Sequence, residues 1–94
     1  MASFMMAMTI TQNFKKDHPD ITHQFDQSLE IFKQFDIQIK GLYATLGRYD
    51  YLIMFDTDEQ SDAFRAASLI NGMGMLRTET WPLITYEDFS ELVG

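Results

Sequence analysis

The stretch IQIKGLYATLGRYDYLIMFDT, from Ile37 to Thr57, predicts two β-strands joined by a tight turn. Both arms are rich in Ile, Leu, Tyr and Phe, residues that favour strands. Between the arms, Gly47 and Arg48 predict a two-residue connection, because glycine at the first central position suits the type II′ turn of hairpins. This β-hairpin argues against a purely helical bundle, and the rest of the fold is built around it.

The segment before the hairpin predicts a helix. Apolar residues recur there at helical spacing, at Ile21, Phe25, Leu29 and Phe32. Asp20 is a candidate N-cap, because its side chain can accept hydrogen bonds from the first free N–H groups of a helix. We expect this helix to end near Asp36.

A second helix is predicted directly after the hairpin. Thr57 and Gln60 have the spacing of a capping box, in which two side chains satisfy the first free N–H groups of a helix. The apolar face of this helix is predicted at Ala63, Ala66, Ala67 and Ile70. Gly72 and Gly74 are expected to end it.

Three further segments complete the chain. An apolar run over residues 4–11 predicts a central strand, and residues 75–84 predict a fourth strand that breaks at Pro82. A short terminal helix is expected to begin at Thr85, with Phe89 and either Leu92 or Val93 facing inward.

The order of elements predicts an α+β fold of the ferredoxin-like type. A β-α-β-β-α-β order with right-handed crossovers gives a four-stranded antiparallel sheet in the order 4-1-3-2, with two helices on one face. We expect one domain over residues 1–94, with the short C-terminal helix as an addition to it.

The amino-acid composition argues against some classes of binding partner. The net charge is −7, which argues against binding to nucleic acid or to an anionic membrane, since both attract Lys and Arg. The chain has no Cys, so disulfides and thiolate metal sites are excluded. The apolar opening residues lack the basic start of a signal peptide, and no run could span a bilayer. We therefore expect a soluble cytoplasmic protein.

Both faces of the hairpin are predicted to be apolar. With a turn at Gly47 and Arg48, one face carries Leu42, Ala44, Leu46, Tyr49, Tyr51, Ile53 and Phe55, and the other carries Tyr43, Thr45, Asp50, Leu52 and Met54. One face would contact the helices and the other a second subunit. The residues thus predict a homodimer or a higher homo-oligomer.

The pair Tyr43 and Asp50 is the first candidate site. An Asp among apolar neighbours has to be hydrogen-bonded or else raise its pKa. Asp50 could then act as a general base or ligand acceptor, with Tyr43 as a hydrogen-bond donor. The alternative is a structural Asp that accepts bonds from backbone amides of the hairpin or pairs with an Arg.

The fourth strand supplies a second candidate site. Arg77, Glu79 and Trp81 alternate along it and share one face. Arg77 could bind a carboxylate and Trp81 could form a pocket wall. The alternative is an Arg–Glu pair beside a packed Trp, as found at subunit interfaces.

The two histidines do not predict a metal site. His18 and His23 are five residues apart, a spacing that does not place both on one helix face, and no third ligand is evident. His23 remains a candidate proton donor or acceptor near the first helix, with a solvent-exposed histidine as the alternative. No cofactor-binding motif is present, so we expect no cofactor.

The chain resembles the GYD-domain family. Its Gly-Tyr-Asp motif corresponds to Gly47, Tyr49 and Asp50, and "RTET" (Arg77 to Thr80) follows the second helix as in that family. The resemblance implies a dimeric α/β barrel, in which two sheets pack face to face, and it implies no single activity. Ligand-sensing modules and cofactor-free monooxygenases and isomerases occur in the wider fold group.

Three functions therefore stay open. The first is a small-molecule-binding domain in which Tyr43, Asp50, Arg77 and Trp81 line a cleft for an aromatic or carboxylate-bearing ligand. The second is a cofactor-independent monooxygenase or isomerase that uses Asp50 or His23 to move a proton. The third is a structural oligomerisation domain without a pocket.

Overall fold

The computed structural model describes residues 1–11 and 21–94, with side chains given for 1–11 and 25–94. Its elements, in chain order, are β1 (Ala2–Ile10), α1 (Ile21–Lys33), β2 (Ile37–Ala44), β3 (Tyr51–Thr57), α2 (Gln60–Gly72), β4 (Leu76–Leu83) and α3 (Tyr86–Val93). The predicted N-cap at Asp20 lies outside the described residues.

The four strands form one sheet in the order β2-β3-β1-β4, and every neighbouring pair is antiparallel. This order is the predicted 4-1-3-2 arrangement, so the ferredoxin-like fold is confirmed. The two central strands, β1 and β3, are the first strands of the two β-α-β halves of the unit. The edges of the sheet are β2 and β4.

The core lies between the sheet and the helices α1 and α2. Alternate residues of the central strands are buried on this side: Phe4, Met6, Met8 and Ile10 of β1, and Ile53 and Phe55 of β3. Phe55 stacks on Phe4 at 5.4 Å between ring centroids and meets Phe32 of α1 edge-on at 5.3 Å. Ala66 and Ile70 bring α2 into the same cluster, as predicted.

A bulge in β2 was not predicted. Ile39 pairs with Phe55 and Gly41 pairs with Met54, so Lys40 is an extra residue on its strand. One extra residue reverses the alternation of side chains. Odd-numbered residues therefore face the helices before the bulge, and even-numbered residues do so after it.

Three predicted boundaries were wrong. Helix α1 ends at Lys33 rather than near Asp36, and a turn follows in which the Gln34 N–H donates to the Ile31 carbonyl. The N-cap of α2 is Glu59 and not Thr57, since Thr57 is the last residue of β3 and its hydroxyl is buried against the backbone.

The third is the break at Pro82. Strand β4 runs through Pro82, which pairs with Phe4. An edge strand tolerates proline, because the missing N–H can lie on the side without a neighbouring strand.

The hairpin connection is longer than the predicted two residues. Strand β2 ends at Ala44 and β3 begins at Tyr51, while the Thr45 N–H donates to the Asp50 carbonyl at 3.0 Å. The predicted register holds, since Ala44 pairs with Tyr51. Gly47 has a φ of 122°, a backbone conformation that favours glycine.

Helix α3 starts as predicted but does not pack as predicted. The Thr85 hydroxyl accepts a hydrogen bond from the Asp88 N–H at 3.0 Å, which completes the expected N-cap. No residue of α3 is buried, however, and Phe89 and Leu92 are 48% and 76% exposed. The apolar face of this helix is not buried by any of the described residues.

Candidate functional site

The side of the sheet away from α1 and α2 is called here the open face. Register and alternation place on it Ser3, Met5, Ala7 and Thr9 of β1, Tyr43 of β2, Leu52, Met54 and Asp56 of β3, and Arg77, Glu79, Trp81 and Leu83 of β4. Its central positions are uncharged. Met5 and Met54, directly opposite each other, are only half-buried.

Three side chains form a cluster on the open face, called here the open-face cluster: Tyr49, Glu79 and Trp81. The Tyr49 hydroxyl donates to the Glu79 carboxylate at 3.1 Å. The rings of Tyr49 and Trp81 lie 6.3 Å apart between centroids, at an angle of 49°. Glu79 and Trp81 stand opposite Ala7 and Met5, so the Tyr49 side chain reaches across β1.

The position of Tyr49 corrects the sequence prediction, which placed it on the same face of the hairpin as Ile53; the structure shows that Ile53 faces the helices and that Tyr49 does not. Strand alternation begins only at Tyr51, and the preceding turn directs Tyr49 to the other side. The signal that could have found Tyr49 is its place in the Gly-Tyr-Asp motif.

Arg77 lies two residues before Glu79 on the same face, opposite Thr9. It is exposed, and it forms no ion pair with any residue of ranges 1–11 and 21–94. Among the described residues, then, no carboxylate pairs with its guanidinium.

Tyr43 lies at the opposite edge of the sheet. It is 52% exposed, and its ring lies over Gly41, where an added Cβ would come within 2.8 Å of the ring. Strands β3 and β1 separate Tyr43 from Trp81, a distance of about 14 Å for three strand spacings. A single chain does not bring these two predicted ligand-binding residues together.

Asp50, which directly precedes β3, lies beside the end of β1 and forms hydrogen bonds to its backbone. Its carboxylate accepts a hydrogen bond from the Ile10 N–H at 2.8 Å, and its own N–H donates to the Met8 carbonyl at 2.8 Å. These contacts match the structural alternative, with the difference that the amide belongs to β1 rather than to the hairpin. Burial, together with Asp50 and Asp26, raises the pKa of the neighbouring Tyr51.

The remaining predictions concern the histidines and metals. His18 and the side chain of His23 lie outside what the structure describes. Within the described ranges, no three His, Asp or Glu side chains come close enough to hold a metal ion.

A cavity of about 280 Å³ lies on the helix side, between α2 and β4, and was not predicted. Its lining includes Phe4, Ala63 and Ala67, with Thr80 among the polar residues. The Thr80 hydroxyl oxygen is buried and has no hydrogen-bond partner in the described part of the chain. An unsatisfied buried hydroxyl costs about 1–3 kcal/mol, so such groups are uncommon in proteins.

Comparison with known proteins supports the fold and the family. The GYD-domain family model matches residues 4–93. A comparison with curated proteins finds no significant match. No helix within residues 1–11 and 21–94 has the length and apolar character needed to cross a membrane.

Solved structures of similar shape share little sequence with the chain. FFRP-DM1 has a TM-score of 0.63 and 19% identity, and the match covers 89% of this chain and all of that one. A hypothetical protein from Pyrococcus horikoshii has a TM-score of 0.58 and 17% identity, over 90% and 92% of the two chains.

A transcriptional regulator has a TM-score of 0.62 and 13% identity, over 90% of this chain. The chain spans about half the length of that regulator and of a Glu104Ala mutant protein with a TM-score of 0.61. At these identities the likeness establishes the fold alone.

Proposed function

This chain belongs to the GYD-domain family, and we propose that it is a homo-oligomeric small-molecule-binding domain. Two copies pair through their open faces, and a ligand is held between them beside the open-face cluster. The observation that carries the proposal is the Tyr49–Glu79–Trp81 cluster, which lies on the face of the sheet that α1 and α2 leave uncovered.

Pairing of two copies is supported by the residues at the centre of the open face. Met5, Leu52 and Met54 are partly exposed there, in a chain with a net charge of −7. Contact between uncharged centres avoids the repulsion that two acidic surfaces would have, and it removes apolar area from water. A second copy is therefore a better partner for this face than solvent.

Helix α3 supports the same conclusion. Its apolar residues Phe89, Leu92 and Val93 are exposed, and no residue of the helix is buried. The radius of gyration is 14.3 Å, against roughly 12 Å for a compact chain of this length. We place α3 against the second copy, because pairing would bury the apolar residues that the described part of its own chain leaves exposed.

The class of ligand follows from the side chains on β4 and from Tyr49, which contacts them. Trp81 and Tyr49 offer ring faces to an aromatic group, and Arg77 offers a guanidinium without a partner among the described residues. Arg77 and Trp81 are four residues apart, so their Cα atoms lie about 13 Å apart along the strand. The long Arg side chain can bring its guanidinium closer to the Trp81 ring. These groups fit an aromatic carboxylate.

The oligomer is tested by multi-angle light scattering after size exclusion. We expect a mass of at least twice the 10.9 kDa chain for the unmodified protein and a monomer for Met54→Lys, which places a charge at the centre of the interface. Ser68→Lys, exposed on α2, is the matched control and should leave the oligomer intact. A monomeric unmodified protein, or an oligomeric Met54→Lys, would contradict pairing through the open face.

The ligand is tested with benzoate, observed by fluorescence of Trp81, which is the only tryptophan. We expect Arg77→Gln to weaken binding by roughly tenfold or more, because it removes a charge-assisted hydrogen bond. Arg65→Gln, the same change at the ion pair with Asp62 on α2, should leave binding unchanged. Equal effects of the two variants would rule out a specific role of Arg77.

A further inference from the structure

The cavity between α2 and β4 lies on the helix side of the sheet, and Trp81 of the edge strand β4 is the one lining residue that it shares with the open-face cluster. Ala63 and Ala67, one helical turn apart, form its wall on α2, and Phe4 contributes from β1. The small side chains of the two alanines leave the space of about 280 Å³ between helix and sheet. This volume is close to the lower limit of small-molecule sites, about 300 Å³.

The lining of the cavity is uncharged. None of its ten residues is Asp, Glu, Lys, Arg or His, although 22% of the chain is charged. At one end, the Asn71 amide donates to the Thr78 hydroxyl and accepts from the Thr78 N–H, both at 2.9 Å. Because these polar groups hydrogen-bond to each other, they need no hydrogen bond from a bound molecule.

Thr80 differs from Thr78 in this respect. Both line the cavity, but the buried Thr80 hydroxyl has no partner among residues 1–11 and 21–94. Buried hydroxyl groups are rarely left in this state. Thr80 lines the cavity and its buried hydroxyl has no partner among the described residues, so an occupant with one polar atom would supply that partner.

We propose that this cavity is a second binding site, which takes an uncharged, mostly apolar small molecule carrying one hydroxyl or amide group that hydrogen-bonds to Thr80. The apolar part of the molecule packs against Phe4, Ala63 and Ala67. The site is complete within one chain, so it does not depend on pairing of the open faces or on the aromatic carboxylate.

The test compares 4-methylphenol with toluene, which has the same ring and methyl group and lacks the hydroxyl. Binding is followed by NMR on the whole protein, so that the residues that respond are identified. We expect 4-methylphenol to bind about fivefold more tightly than toluene, as one hydrogen bond provides. The shifted amides should be those of the cavity, including Ala63, Ala67 and Thr80, and not those of Tyr49 and Arg77.

Thr80→Val removes the hydroxyl and keeps the shape of the side chain. We expect it to abolish the preference for 4-methylphenol and to raise the melting temperature of the free protein by about 4–8 °C, since an unsatisfied buried group is lost. Thr57→Val is the matched control: it removes a buried hydroxyl that has hydrogen-bond partners and lies outside the cavity, so it should lower the melting temperature and keep the preference.

Ala67→Leu fills the cavity and should block both probes. The proposal is overturned if neither probe binds at millimolar concentration, which would leave water as the partner of Thr80. It is also overturned if Thr80→Val keeps the fivefold preference, or if only amides of the open face shift. The last outcome would leave the proposed function intact, because it concerns the other side of the sheet.

Discussion

The Asp50 carboxylate accepts a 2.8 Å hydrogen bond from the backbone N–H of Ile10, the last residue of β1. Forty positions separate the two residues in sequence. The carboxylate satisfies an N–H at the point where β1 leaves the sheet, and the Asp50 N–H bonds to Met8 two residues earlier. Asp50 thus joins the start of β3 to the end of β1.

This contact predicts a structural effect for changes at Asp50. Asp50→Ala should lower the free energy of unfolding by about 1.5–3 kcal/mol, because a hydrogen bond to a charged group is lost and the Ile10 N–H is left without that partner. Asp50→Asn keeps an acceptor oxygen and should cost less. Urea unfolding gives both values.

Asp58→Ala is the control for this series, since Asp58 is exposed and only meets the N-terminal amine at 3.7 Å. It should change the free energy of unfolding by no more than about 1 kcal/mol. A similar value for Asp50→Ala would show that the bond to Ile10 contributes little.

Gly47 carries a second prediction. With φ at 122° and no atom within 4 Å of an added Cβ, Gly47→Ala introduces backbone strain without a clash. We expect it to lower the free energy of unfolding by about 1–3 kcal/mol. Gly72→Ala is the matched control, because Gly72 also has open space and is the last residue of α2, where alanine is favourable.

Thermal or urea unfolding of the two glycine variants gives the comparison directly. Gly72→Ala should be neutral or stabilising by up to about 1 kcal/mol. If Gly47→Ala proved as stable as Gly72→Ala, the turn would have to tolerate a backbone conformation other than the one described.

Tyr51 predicts a loss of stability at high pH. Burial, with Asp50 and Asp26 as further causes, raises the pKa of Tyr51 above its ordinary value of 10.0. As the pH passes 10, the unfolded chain releases the phenol proton before the folded chain does, so unfolding becomes more favourable. The contribution of Tyr51 to the free energy of unfolding is fully present below pH 10 and is lost as the pH rises through the pKa of Tyr51 in the folded protein.

Tyr51→Phe removes the titrating group and retains the ring that stacks on Phe25 at 4.3 Å. Between pH 9 and pH 11, the unmodified protein should therefore lose more free energy of unfolding than Tyr51→Phe does. Urea unfolding at several pH values measures the difference. Parallel curves for the two proteins would assign the alkaline loss to other groups.

Local patterns were sufficient for most of the fold. The apolar spacing of α1 and α2, the need for glycine at Gly47 and the pairing of Ala44 with Tyr51 were all predictable from neighbouring residues. The bulge at Lys40 was missed, although the helix-facing apolar positions change there from odd (Ile39) to even (Leu42), because pairing with β3 is what identifies the extra residue.

The candidate site was predictable only in part. Arg77, Glu79 and Trp81 share a face because side chains alternate along any strand, and this was evident before the structure. Tyr49 joins them through a turn whose geometry no periodicity describes, and it donates its hydrogen bond to a residue thirty positions away. The Thr80 hydroxyl is likewise unremarkable in sequence.

The sequence by itself determined the order of helices and strands, the residues that face the core and the position of the hairpin, since these depend on spacing within short segments. Only the tertiary structure decided that Asp50 accepts a hydrogen bond from Ile10 and that Tyr49 donates one to Glu79. The same is true of the two findings made on residues 1–11 and 21–94, that the Thr80 hydroxyl has no partner there and that no residue of α3 is buried. Such relationships depend on strand register and on the packing of distant segments. Neither the register nor the packing can be read from residues that are neighbours in sequence.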